Sequence, residues 1–167
     1  TETIAKRYAT NIAAAYNYIG EIRLAHGTYR EALELFQKAI SLCVGKNALA
    51  SLSYFYINAG KTAYYLEDLS MAREFFDKAY ALYGQFGSFW RRSVLDSYMA
   101  LTLLRQGEYG QAMKYLTTAR ENVGYIKDPN DLGVVFFAEA VFRQRCDLDP
   151  EVKTAVGDRL PDSVETY

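Results

Sequence analysis

The sequence has no excess charge of either sign, no long apolar run and almost none of the residues that staple or catalyse. A net charge of −1 removes the bulk attraction to nucleic acid or an anionic membrane that a basic excess would provide. No apolar stretch approaches the roughly 18 residues of a membrane span, and no basic-then-apolar signal opens the chain. A cytoplasmic protein is expected. The two cysteines, Cys43 and Cys146, are too far apart in sequence to suggest a disulfide framework or a metal-ligand spacing, and both read as helix-packing thiols. His26 is the single histidine, and beside Gly27 it reads as a solvated helix end; no conspicuous nucleophile accompanies it. The glycines are scattered singly, so no phosphate-cradling loop forms, and Glu67 with Asp68 marks a turn rather than a catalytic carboxylate pair. No enzyme, cofactor or metal is expected.

What is present is a repeat. Shifted against itself by about 40 residues, the sequence aligns Gly20, Gly60 and Ala100; Ala32, Ala72 and Ala112; Phe36, Phe76 and Leu116; and Ala39, Ala79 and Ala119. Gly27, Glu67 and Gly107 share a turn column, with Tyr29, Leu69 and Tyr109 two residues later. Within the first unit, Tyr16, Ile19, Gly20 and Arg23 recur at helical spacing, as do Ala32, Leu33, Phe36, Ala39 and Ile40. Two antiparallel helices result. Gly27 ends the first, and Thr28 with Glu31 predicts a capping box at the start of the second. Small residues at 20 and 32 let the helices approach closely, with Phe36 filling the space beneath. Neither helix buries its apolar face alone, so the pairs must stack.

Taken in order, helices are predicted over residues 3–26, 29–43, 47–66 and 69–83, with Gly84 and Gly87 breaking the chain. Ser88 is the expected cap of a third pair that turns at Gly107 and returns over 109–123. Trp90 reads as a packing anchor and Arg91-Arg92 as a solvated helix start. Asp128-Pro129 and Asp149-Pro150 each read as a cap followed by proline in the first turn, starting helices toward Arg145 and Arg159. That last pair loses the columns, as a divergent cap or an interrupted repeat would. Residues 161–167 are expected to fray, and a start at Thr1 is what a processed or excised piece would show. The expectation is one all-α domain over 1–167, a right-handed α-α superhelix of about four antiparallel pairs (repeats near 7–46, 47–86 and 87–126, and a degenerate pair at 127–160).

Gly20 and Gly60 in the first helix, the Gly-x-Tyr turns at 27–29 and 107–109, and the paired second-helix alanines (32 with 39, 72 with 79, 112 with 119) resemble the tetratricopeptide repeat family. The period exceeds that family's usual 34 residues or so, resembling its longer-repeat branch. Glu67 and Asp96 depart from its pattern, and the proline that often follows its second helix is absent. The resemblance implies a TPR-like solenoid whose first helices line a concave groove. That groove would hold a protein or peptide partner on Asn17, Glu21, Tyr54, Asn58, Lys61, Tyr65, Ser97, Leu101 and Arg105, with aromatics supplying area and Asn58 orienting a bound backbone. Asn58 bonding within its own helix is the alternative. Most of the 15 tyrosines read as packing residues. Of the Lys, Asn and Arg clamp that such proteins use on acidic chaperone tails, only Asn58 is present. Two functions stay open: an interaction scaffold within a larger protein, with self-association possible through the exposed last repeat, or the ligand-sensing part of a bacterial-type transcriptional regulator.

Overall fold

The structure, a computed structural model, describes residues 2–86, 91–156 and 159–160. Among them every regular element is helical: α1 (Glu2–Ala25), α2 (Tyr29–Cys43), α3 (Leu49–Tyr65), α4 (Leu69–Phe86), α5 (Arg92–Arg105), α6 (Tyr109–Glu121), a 3₁₀ turn at Val123–Tyr125, α7 (Pro129–Leu148) and α8 (Pro150–Val156). Successive helices pack in pairs, α1 on α2, α3 on α4, α5 on α6 and α7 on α8. This is the all-α, helical-repeat class of fold that the columns predict. The chain forms two compact units, Thr1–Trp90 and Arg91–Tyr167. Ser88, Gly87 and Trp90, and the expected fraying tail at 161–167, lie outside the described residues.

The first three hairpins reverse by one backbone device. Gly27, Glu67 and Gly107 all adopt left-handed conformations, with φ of 76°, 64° and 81°. Thr28, Asp68 and Glu108 then donate their backbone N–H to carbonyls five residues back, those of Arg23, Ala63 and Leu103, at 3.0, 3.0 and 2.9 Å. Gly27, Glu67 and Gly107 donate to Leu24, Tyr64 and Leu104 in the same turns. Such a paired ending satisfies carbonyls that a helix C-terminus would otherwise leave open. Glu67 adopts the left-handed form despite its side chain, so the column demands the conformation even where glycine is absent.

That device also overturns the predicted capping box. A box needs the Thr28 N–H for Glu31, but that N–H is already donated to Arg23. The Thr28 hydroxyl donates to the Arg23 carbonyl at 3.0 Å instead, and Glu31 pairs with the Arg23 guanidinium at 3.3 Å. Carboxylates cap α4, α7 and α8: Asp68 accepts from Met71 N–H at 2.9 Å, Asp128 from Asn130 at 2.8 Å and Asp149 from Glu151 at 3.0 Å. The α4 helix runs through Gly84 to Phe86, where a break had been expected.

In the first unit the small columns are close-packing sites. Ala32, Ala39, Ala72 and Ala79 are fully buried, and Gly20 and Gly60 lie directly over the rings of Phe36 and Phe76. Between the hairpins, Ala13 of α1, Ala39 and Cys43 of α2, and Leu52 and Phe55 of α3 form one apolar cluster.

The second unit is built differently. Its α5 is buried continuously from Ser93 to Leu104, with α6 and α7 packed on it. Three buried or part-buried ion pairs support this helix and its neighbours. Arg91 reaches Asp131 of α7 at 2.6 Å, Arg92 reaches Asp96 one turn along α5 at 3.0 Å, and Arg120 of α6 meets Glu139 of α7. The Arg91-Arg92 pair is therefore not a solvated helix start, because both guanidinium groups neutralise carboxylates the fold has buried. Among the described residues no helix is long and apolar enough to cross a membrane.

Candidate functional site

Four of the expected groove residues meet in the first unit. The α1 and α3 helices present Asn17 and Glu21, one turn apart, to Tyr54 and Asn58, also one turn apart. Asn58 Nδ2 donates to Asn17 Oδ1 at 2.9 Å, and Asn17 Nδ2 donates to Glu21 Oε2 at 3.1 Å. The Tyr54 hydroxyl donates to the other oxygen of the same carboxylate. The result is a polar ladder running across two helices. Asn17 and Asn58 are buried, while Glu21 and Tyr54 lie at partial exposure. Asn58 thus neither faces solvent nor bonds within its own helix through its side chain; its Oδ1 is buried without a donor at the ladder's inner end.

Beside the ladder lies a pocket of about 230 Å³ lined by Ala14, Asn17, Tyr18, Ala50, Ser51, Tyr54 and Phe55. This is smaller than the roughly 300–1,000 Å³ of a typical small-molecule site, and its lining is mostly apolar. A single apolar side chain from a protein partner suits it better than a metabolite. Tyr18 and Ser51 are lining residues that periodicity alone did not pick out. Tyr18 did carry a readable signal: a large aromatic ring at a helix position with no partner in the packing columns, and it is 64% exposed.

The other expected residues are spread out. Lys61 is half-buried on α3, and Tyr65 stacks on Tyr29 with ring centroids 5.3 Å apart and the planes 13° from parallel. In the second unit Arg105 is exposed at the end of α5. Ser97 and Leu101 are fully buried there, since α5 is enclosed along its length, and in this structure they hold no surface for a partner. His26 closes the end of α1, with Nδ1 donating to the Ile22 carbonyl at 2.7 Å. Both cysteines are buried free thiols, and burial pushes each pKa up. Among the described residues no group of three or more His, Cys, Asp or Glu is placed to hold a metal.

Comparison with protein families matches residues 2–141 to 26S proteasome subunit RPN7. The chain belongs to the RPN7 family. The match spans both units and, of the eight α-helices among the described residues, six in full, and it overturns the assignment to the tetratricopeptide repeats. The residues behind that assignment serve packing needs common to paired helices, namely a small residue over a ring and a left-handed turn, and they do not discriminate between families of helical hairpins. Glu67 in the turn column and Asp96, in the column of Tyr16 and Tyr56, were already departures from the tetratricopeptide pattern. Comparison with curated proteins returns no match. As an RPN7-family chain, it is a paired-helix array of the kind that serves as scaffold.

Proposed function

We propose that this RPN7-family chain is a non-enzymatic protein-binding scaffold that works in the cytoplasm as one subunit of a multisubunit assembly, the 26S proteasome being the assembly its family's name denotes. The observation that carries the reading is the α1–α3 face, where an apolar pocket sized for one side chain sits against a hydrogen-bonded polar edge. A partner segment would insert an aliphatic or aromatic side chain between Tyr18 and Phe55 and lie across Tyr54 and Glu21. Lys61 and Tyr65 continue the same helix toward its end and would extend the contact. In this arrangement Asn17 and Asn58 hold Glu21 and Tyr54 in place rather than touching the partner. Large rigid rings at a part-buried edge are the residues that dominate interface energetics.

The test is recovery of the tagged chain with 26S proteasome subunits from cells, followed by titration of the recovered neighbour. Ala50→Trp would fill the pocket from its exposed rim, and Tyr18→Ala would remove one wall; each should weaken binding about tenfold, or about 1.4 kcal/mol. Glu34→Ala and Lys78→Ala on the outward faces of α2 and α4 should leave it intact. Binding lost through the α2 and α4 changes but kept in Ala50→Trp would move the interface to the opposite face. A chain that never enters a proteasome assembly would refute the assignment of partner.

A further inference from the structure

The hydrogen bonds of the α1–α3 ladder run in one direction, and Glu21 sets it. Its carboxylate oxygens only accept, so Asn17 turns Nδ2 toward one of them and the Tyr54 hydroxyl gives its hydrogen to the other. Asn17 then presents Oδ1 to Asn58, which answers with Nδ2 and keeps its own Oδ1 at the buried end of the ladder. Asn17 and Tyr54 also line the pocket, so the carboxylate they hold stands at its margin. Glu21 follows Ala14, Asn17 and Tyr18 at spacings of three and four along one face of α1. Both amides belong to buried residues, so the polar margin of the pocket is made by half-buried Glu21 and Tyr54. With the Tyr54 hydrogen already given away, that margin offers lone pairs only. Ser51 can turn its hydroxyl either way and sets no preference. Among the described residues no Lys or Arg is ion-paired with Glu21.

We infer that the partner segment carries an arginine beside its apolar anchor, and that this arginine meets Glu21. The inference rests on the binding face proposed above and names what that face selects. A partner that covered Glu21 with an apolar or acidic side chain would bury the carboxylate without a counter-charge, which is costly; a cationic donor removes that cost and forms the stronger, charge-assisted kind of hydrogen bond. Arginine suits the place better than lysine. Its fork of N–H groups can serve Glu21 and the Tyr54 oxygen together, while its flat face can lie on the exposed ring of Tyr18, one turn before Glu21. The pocket wall at Asn17 and Tyr18 is one turn from Glu21, so the arginine stands three or four residues from the anchor in a helical segment, or two in an extended one. Lys61 lies one turn beyond Asn58 on α3, so the guanidinium reaches Glu21 from the pocket side. A net charge of −1 gives no bulk attraction to a basic chain, so the preference is local, for one cation at one spacing rather than for a polybasic segment.

A random-peptide phage library supplies the probe. Peptides selected on the whole chain and counter-selected on Ala50→Trp, in which the pocket is filled, should share a large apolar residue with an arginine at those spacings. Replacing that arginine by citrulline keeps its shape and removes its charge, and leaves the folded chain untouched. Against the wild-type chain the change should weaken binding about tenfold, whereas against Glu21→Gln the arginine and citrulline peptides should bind within about twofold of each other. Added salt should weaken binding to the wild type and affect Glu21→Gln much less. Pocket-dependent peptides that lack a basic residue, or carry an acidic one in its place, overturn the arginine and leave the binding face standing. A citrulline penalty as large on Glu21→Gln as on the wild type does the same. A lysine peptide as tight as the arginine one overturns the choice of cation. If no peptide distinguishes the wild-type chain from Ala50→Trp, the binding face itself falls, and the arginine with it.

Discussion

Gly60→Ala is the most informative single change in the first unit. A Cβ at Gly60 would run into Cε1 of Phe76 and lie only 2.6 Å from Cδ1 and 2.9 Å from Cζ. Ordinary carbon contacts begin near 3.5 Å, so ring and helix must part by about 1 Å. Phe76 is fully buried, and the ring has no vacant space to enter. Overpacking of this kind costs about 1–3 kcal/mol, and the clash puts Gly60 toward the upper end. Alanine's better helix propensity returns nearly 1 kcal/mol. The net expectation is a loss of about 2 kcal/mol, which for a chain of this size lowers Tm by roughly 4–8 °C. The third hairpin supplies the remedy, because Ala100 carries a Cβ and the residue in the ring column is Leu116. Phe76→Leu alone should cost about 1–2 kcal/mol as a cavity. Added to Gly60→Ala it should cost less than the sum, with a coupling energy near 2 kcal/mol. Urea unfolding followed by circular dichroism gives the four corners of the cycle, and hydrogen exchange localises the loss to α3 and α4. Strictly additive losses, or a Gly60→Ala protein as stable as wild type, would refute the close-packing account.

Two further expectations concern buried groups. Asp131→Ala removes the carboxylate that pairs with a part-buried Arg91 and should cost about 3 kcal/mol in urea unfolding, whereas Lys78→Ala, which breaks an exposed pair with Glu74, should cost less than about 0.5 kcal/mol. Burial raises the Cys43 and Cys146 thiol pKa values, so both should resist a thiol reagent in the folded protein and react on unfolding. Because the folded values lie above the unfolded ones, the thiols' contribution to stability is full below about pH 8.5 and is lost as pH climbs through the folded values. The stability gap between wild type and Cys43→Ala should therefore narrow between about pH 8 and pH 10.

The sequence made the helices legible because size columns and turns are local. Gly20 above Phe36 and Gly60 above Phe76 are spaced by the period itself, and the left-handed turn was readable at Gly27 and Gly107. Glu67 was readable only by its column. Burial of α5 was harder to foresee. Its polar residues Ser93, Asp96 and Ser97 share one side and look like a solvated face, and Thr102 lies opposite, yet all are buried, with Asp96 held by Arg92 and Thr102 donating to the Tyr98 carbonyl at 2.7 Å. Enclosure by a partner 40 residues away leaves no local periodic trace. For the candidate site, residue types were legible and their roles were not. Asn17 and Asn58 lie on α1 and α3, but their residue types alone do not reveal that one amide is satisfied by the other. Tyr18 was passed over because helical periodicity identifies the apolar face that packs and says nothing of a second one.

The enclosure of α5 has a consequence for the order in which the protein comes into being. In the first unit each helix finds a cover in the next one along, so the hairpins can close in the sequence in which a ribosome delivers them. The α5 helix has no such convenience. Its apolar surface runs nearly all round, α6 covers one side, and Asp131, Val135 and Glu139 of α7 arrive only after a further stretch of chain has been made. Until then a helix carrying Leu95, Met99, Leu101 and Leu103 stands half-clothed, the state in which nascent chains aggregate or are held by chaperones. At about 5–20 residues per second that interval lasts seconds. Closure brings Arg91 to Asp131, an ion pair between the start of α5 and α7 that can form only once both have been made.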